Sequence, residues 1–149
     1  MIRYKKLGYV ELTVTDLDRA VAFYRDIAGL EPAGRGPEGE YRFRCSEDPY
    51  AVALHRADRP GFKRGGWMLE DDSQFAVLHK RLADNGVPYE EFTVTECQAR
   101  GFARGTRMVE PNTGVTMEFY RLPAGQARPL RAVAPDGFDG CFRNLKSAQ

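Results

Sequence analysis

The sequence predicts an α+β domain built from two copies of one unit, each a strand, a helix and three further strands (βαβββ). Three observations predict it. The same order of features occurs twice at a constant offset of 56 residues, pairing Asp16 with Asp72, Ala20 with Ala76, Val21 with Val77, Gly29 with Asn85 and Pro32 with Pro88. Each copy passes from a period of two to a helical period, with an acidic residue at the change. Each then ends in short apolar runs broken by glycine turns. At 149 residues, the chain is long enough for one domain with a sizeable core.

The first unit spans about residues 7–56. From Tyr9 to Thr15, apolar Val10, Leu12 and Val14 alternate with polar Glu11, Thr13 and Thr15, as in a half-buried strand. Thr15 or Asp16 can cap the helix after it. Leu17, Ala20, Val21, Tyr24, Ile27 and Ala28 give that helix one apolar face, and Gly29 suits its C-terminal stop. Strands are expected around Glu31–Gly34, Glu40–Cys45 and Ala51–Arg56, with a glycine-rich turn at Gly34–Gly39.

The second unit spans about residues 64–120. Gly65–Leu69 is a weaker strand. Asp72 or Ser73 caps a helix that buries Phe75, Leu78 and Leu82, and Asn85-Gly86 stops it. Tyr89–Thr95, rich in aromatic and β-branched residues, is expected to be a strand, followed by a loop containing Gly101 and Gly105. Arg107–Glu110 and Val115–Tyr120 flank Pro111-Asn112-Thr113-Gly114 as hairpin strands around a turn. The module is taken as residues 1–121. Residues 122–149, rich in Ala, Arg, Pro and Gly, read as a linker or surface-wrapping extension.

Composition narrows the function classes. There are 22 basic and 21 acidic residues, a formal charge of +1, so nothing draws the chain electrostatically to nucleic acid or an anionic membrane. No apolar run approaches a membrane span, and MIRYKKLGYV lacks the apolar stretch of a secretory signal. Cys45, Cys97 and Cys141 are odd in number and far apart, which fits neither a disulfide framework nor a zinc site and suggests a reducing cytoplasm. The sequence has no G-x-G-x-x-G, no P-loop and no G-x-S-x-G.

Two stretches, LGYVELTVTDLDRAVAFYRDIAGLEP (residues 7–32) and RMVEPNTGVTMEFY (residues 107–120), resemble the vicinal oxygen chelate superfamily of glyoxalases, bleomycin-resistance proteins and extradiol dioxygenases. The likeness covers roughly residues 4–121 and implies a cupped mixed sheet. Within the superfamily, LGYVELTVTD and CQARGFARGTRMVEPNTGVTMEFY are most similar to the N-terminal module of type I extradiol ring-cleavage dioxygenases, of the dihydroxybiphenyl and dihydroxy-p-cumate type. The resemblance implies a catalytically silent module whose parent carries Fe(II) in a second one.

The same resemblance implies four metal-ligand positions on catalytic modules. Here they fall on Tyr9, near Ala53, on Gly65 and on Glu118, so Glu118 alone retains a ligand type. Non-heme Fe(II) needs two imidazoles and a carboxylate. Strand alternation puts Tyr9, Glu11 and Thr13 on one face, with Ala53, His55, Trp67, Glu118 and Tyr120 joining them. A substitute cluster of Glu11, His55 and Glu118 is conceivable. The plainer reading makes His55 a strand-end histidine, Glu11 a solvated or hydrogen-bonded residue and Glu118 a hydrogen-bonded remnant. His79, on a helix beside Leu78, reads as structural. Tyr9 and Trp67 can stack a small aromatic ligand or simply pack.

Three readings result. In the first, the chain is the N-terminal, non-catalytic module of an extradiol catechol dioxygenase of aromatic catabolism, with no cofactor of its own and a second module or another copy as partner. The alternative is a free-standing dimeric sequestering protein of the bleomycin-resistance type. The third is a small metalloenzyme using Glu11, His55 and Glu118.

Overall fold

A computed structural model describes residues 1–125. The elements are β1 (Tyr4–Val14), α1 (Leu17–Ala22) with a π-helical turn (Phe23–Ile27) directly after it, β2 (Glu31–Arg35), β3 (Tyr41–Arg44), β4 (Val52–Arg56) and β5 (Gly61–Leu69). They continue with α2 (Ser73–Asp84), β6 (Tyr89–Glu91), α3 (Val94–Arg100), β7 (Arg104–Val109) and β8 (Thr116–Arg121). The strands hydrogen-bond in the order β2-β3-β4-β1-β5-β8-β7-β6, a mixed sheet. The expected strand–helix–strands plan is present twice, with a third helix added in the second copy. None of the described helices is long and apolar enough to cross a membrane.

Among the described residues, 1–11 and 62–125 form one compact unit and 12–61 another. In the first, α2 lays its apolar stripe on the sheet. Leu69, Phe75, Leu78, Leu82 and Phe119 make the core, with Ile2, Trp67, Val87, Met108 and Met117 packed against it. Each fully buried Leu or Phe contributes roughly 1.5–3 kcal/mol. The chain start is tied down as well: the Arg3 amide donates to Gln74 Oε1 at 2.9 Å, and the Glu70 amide to the Arg3 carbonyl at 3.1 Å. The side-chain acceptor at the start of α2 is Asp71, which takes the Ser73 amide at 2.9 Å, and neither Asp72 nor Ser73 fills that role. At the other end, Asn85 is the C-cap and Gly86 turns left-handed at φ +65°. In the β7–β8 turn, the Glu110 carboxylate accepts from the Thr113 hydroxyl and from the amides of Asn112 and Thr113, which pulls its pKa down to about 2.

In the second unit, Asp16 caps α1, accepting from the Arg19 amide at 3.0 Å. The helix is regular only to Ala22. The π-helical turn then adds a residue per turn and rotates the next side chains off the 3.6-residue stripe. Tyr24 still packs on Phe43 (centroids 5.9 Å apart), but Ile27, expected on the buried face, is 69% exposed. Phe43, Ala53 and Leu54 are fully buried.

The largest departure from expectation falls at Tyr89–Thr95. Only Tyr89–Glu91 is strand, and Val94–Arg100 is helix where strand and then loop are expected. The Thr93 hydroxyl accepts from the Glu96 amide at 3.1 Å and starts the helix, overriding the β-branched composition. Gly101, at φ +73°, ends it. The expected extension lies, from residue 126 on, outside the described residues, and Cys141 with it.

Candidate functional site

The site belongs to the first unit and is organised by the parallel pairing of β5 with β8. That register sets Gly66 beside Glu118 and Trp67 beside Phe119. Side chains alternate along a strand, so Arg64, Gly66, Glu118 and Tyr120 share one face. Trp67, Leu69 and Phe119 share the other, under α2. Two sequence expectations are corrected here. Trp67 packs on Phe119 (centroids 6.2 Å apart) and does not join Glu118. The β5 position on the Glu118 face is Gly66, not Gly65. Alternation counted along the sequence alone runs one residue out of phase on this strand.

Glu118 is fully buried (0% exposed), and Tyr9 and Glu11 are nearly so, at 2% and 1%. The Tyr9 hydroxyl donates to Glu118 Oε2, and Arg100 Nη1 donates to the same oxygen at 2.6 Å. On Oε1, Arg107 donates from Nε at 3.2 Å and Nη2 at 3.1 Å, and Arg64 Nη1 lies 3.5 Å away. Glu11 Oε2 is 2.8 Å from Arg64 Nε and 3.8 Å from Arg100 Nη2. Glu96, on the first turn of α3, pairs with Arg107 and lies 3.7 Å from Arg100 Nε. Three carboxylates and three guanidinium groups thus balance each other. Burial by itself would push the Glu118 carboxyl up. The charge and hydrogen bond of Arg100, the Tyr9 hydroxyl and Arg64 outweigh that and hold it below the usual carboxylate value.

Aromatic rings close around this network. Tyr9 stacks on Phe102 at 5.7 Å, Phe102 on Tyr120 at 4.5 Å, and Tyr9 lies 5.2 Å from Tyr120. The guanidinium carbons of Arg100 and Arg107 sit 5.0 and 4.5 Å from the centre of the Phe92 ring. Gly66 is required beneath Tyr9, because a Cβ there would overlap the Tyr9 ring.

Within the first unit, Tyr9, Glu11, Glu118 and Tyr120 stand together. Ala53 and His55 are buried on β4 of the other unit, where the Arg42–Ala53 pairing sets the register. His79 is held by stacking on Tyr89 at 4.4 Å and a 2.8 Å hydrogen bond with Thr106 Oγ1, and burial lowers its pKa. Sequence reasoning missed Arg64, Glu96, Arg100 and Arg107. The signal was there for two of them: Thr93-x-x-Glu96 is a helix-start pattern, and Gly101 a helix stop, so Arg100 stands in a last turn.

Comparison with known proteins agrees with this layout. The model of the Glyoxalase/Bleomycin resistance protein/Dioxygenase superfamily matches residues 6–119. The chain belongs to that superfamily. Among its curated relatives in the superfamily, 1,2-dihydroxynaphthalene dioxygenase of Sphingobium xenophagum is 24% identical over 135 residues, covering 91% of this chain and 45% of the relative. Metapyrocatechase of Pseudomonas sp. CF600 is 30% identical over 150 residues, covering 91% and 48%. Among solved superfamily structures, BphC, a halotolerant catechol dioxygenase, superposes with a TM-score of 0.74 at 22% identity, covering 91% of this chain and 43% of its own. LapB, a 2,3-dioxygenase of Pseudomonas sp. KL28, gives 0.73 at 23% identity, covering 82% and 42%. The chain thus spans somewhat less than half the length of the relatives it matches.

Proposed function

We propose that this chain is the N-terminal, non-catalytic module of an extradiol catechol dioxygenase, and that the Fe(II) of the parent enzyme is held by a second module. The observation that carries this reading is the state of Glu118. Both of its oxygens are already engaged by arginines and by Tyr9. The residues present do not fit iron: Tyr9 and Gly66, which flank the carboxylate, offer no imidazole, and Arg64, Arg100 and Arg107 already take its charge. No step of ring cleavage is assigned to these side chains. The module would serve the folding and assembly of the parent and shape the approach to its substrate. Relatives named as dioxygenases, each about twice as long, support the reading.

Iron analysis and O₂ uptake with catechol test it. The purified chain is expected to carry only substoichiometric iron after anaerobic loading and to consume no O₂, whereas a protein continuing into a second module does both. Stoichiometric iron in this chain, lost on Glu118→Gln, would overturn the reading.

A further inference from the structure

We infer that Asn85 is a self-modification site: it deamidates through a cyclic imide formed with Gly86, at a rate set by opening of the last turn of α2. This does not depend on the module's place in a larger enzyme. Of the three asparagines, Asn85 is followed by glycine, whereas Asn112 precedes Thr113 and Asn144 precedes Leu145. Ring closure needs the next backbone nitrogen to reach the carboxamide carbon, and a side chain on that next residue stands in the way. Asn85 and Gly86 are exposed, so water reaches them. The reaction needs no other partner. Gly86 N gives up its proton and bonds to Asn85 Cγ, while the Cγ–Nδ2 bond breaks and the nitrogen leaves as ammonia. Water then opens the imide at either carbonyl, giving aspartate or isoaspartate.

The native helix end restrains this chemistry. Asn85 has ψ 8°, which turns the Gly86 nitrogen away from the Asn85 side chain. The Gly86 N–H donates to the Ala83 carbonyl at 3.0 Å, and Asn85 Nδ2 donates to the Arg81 carbonyl at 2.8 Å. Closing the ring pulls both groups off those carbonyls, so it waits until the turn opens. Opening is a local event: residues 83–86 are all exposed, so no apolar surface is uncovered, and the Lys80–Asp84 ion pair across the turn is exposed too. The product then weakens the turn that delayed it. A carboxylate offers no N–H to the Arg81 carbonyl and adds negative charge at the negative end of the helix. Isoaspartate also lengthens the backbone just before Val87, whose amide donates to the Leu82 carbonyl at 2.8 Å. Leu82 and Val87 both pack in the core under α2. A one-way reaction thus loosens the end of the helix on which that core rests.

The test incubates the full 149-residue chain at mildly alkaline pH, folded and in urea, and follows tryptic peptides by mass spectrometry. Trypsin puts the three asparagines into separate peptides, 82–100, 108–121 and 144–146, so each is read against the others. In urea, Asn85 is expected to convert faster than Asn112 and Asn144. In the folded chain it should convert at least about tenfold more slowly than in urea, a factor that two hydrogen bonds of ordinary strength supply. Ala83→Gly frays the turn without touching the reacting atoms. It should speed conversion of the folded chain and leave the rate in urea unchanged. In Asn85→Asp, which reproduces one product, the amides of residues 85–87 should exchange hydrogen faster than in wild type. Asn85 converting no faster than Asn112 in urea overturns the site. Equal rates for folded and unfolded wild type, or no effect of Ala83→Gly on the folded rate, overturn control by the helix end. Unchanged exchange in Asn85→Asp overturns the weakening of the turn.

Discussion

The Tyr9 ring lies over Gly66 because the parallel register places that glycine directly beside Glu118, and the ring needs the space to bring its hydroxyl to the carboxylate. Phe102 and Tyr120 pack against the ring, so it cannot swing aside. Gly66→Ala should therefore destabilise the chain by about 1–3 kcal/mol, the usual cost of overpacking. Urea denaturation measures it. In a Tyr9→Leu background the cost should shrink, because the clash is with the ring; equal costs in both backgrounds would disprove the coupling. Glu118 gives a pH-dependent prediction. Its carboxyl is held below its unfolded value, so its stabilisation is fully present above that unfolded value, about 4.3, and is lost as pH falls through the lower folded value. Glu118→Gln leaves buried guanidiniums without their partner, at a cost of about 3–5 kcal/mol at neutral pH. The difference between wild type and variant should narrow in acid. A difference that stays constant down to about pH 2 would remove the carboxylate charge from the account.

Helix α3 matters most at the scale of elements, since it brings Arg100 to Glu118 and Glu96 to Arg100 and Arg107. Its start is written in the sequence as Thr93-x-x-Glu96, yet the run of Thr and Val around it reads as strand. The local cap decided the outcome over propensity, which is a weak prior for seven residues. The Glu96 side chain is spent on Arg107, so Thr93 is the cap's working half. Thr93→Ala should cost about 1 kcal/mol. Hydrogen exchange should show the amides of α3 opening first in that variant, since the loss is local. Uniform loss of protection across the chain would mean that α3 does not melt as a unit. The earlier helix teaches the opposite lesson. Its cap Asp16 and stop Gly29 are legible, but no periodicity shows where a π-helical turn will shift the stripe and leave Ile27 in water.

Across the whole molecule, the sequence shows well the features that depend on local period and turn chemistry: the two strand–helix–strands copies, the α2 stripe of Phe75, Leu78 and Leu82, and the left-handed glycines that end the helices. It shows poorly the phase between strands far apart in the chain. Gly65 and Gly66 look alike in sequence, and only pairing with β8 decides which one shares a face with Glu118. One residue of phase moves Trp67 from the Glu118 face to the core beneath α2, with a consequence that can be measured. Trp67 is the only tryptophan, and its neighbours are Phe119 and the residues packed around it. On the opposite face, the rings of Tyr9 and Tyr120 each stack on Phe102 and lie tilted against one another, which takes the surfaces an aromatic guest would use. Millimolar catechol should therefore leave Trp67 emission unchanged, while urea shifts it to the red as the α2 core opens. A saturable quench by catechol under native conditions would mean that the tryptophan borders a ligand site, and the face assignment drawn from the β5–β8 register would have to be abandoned.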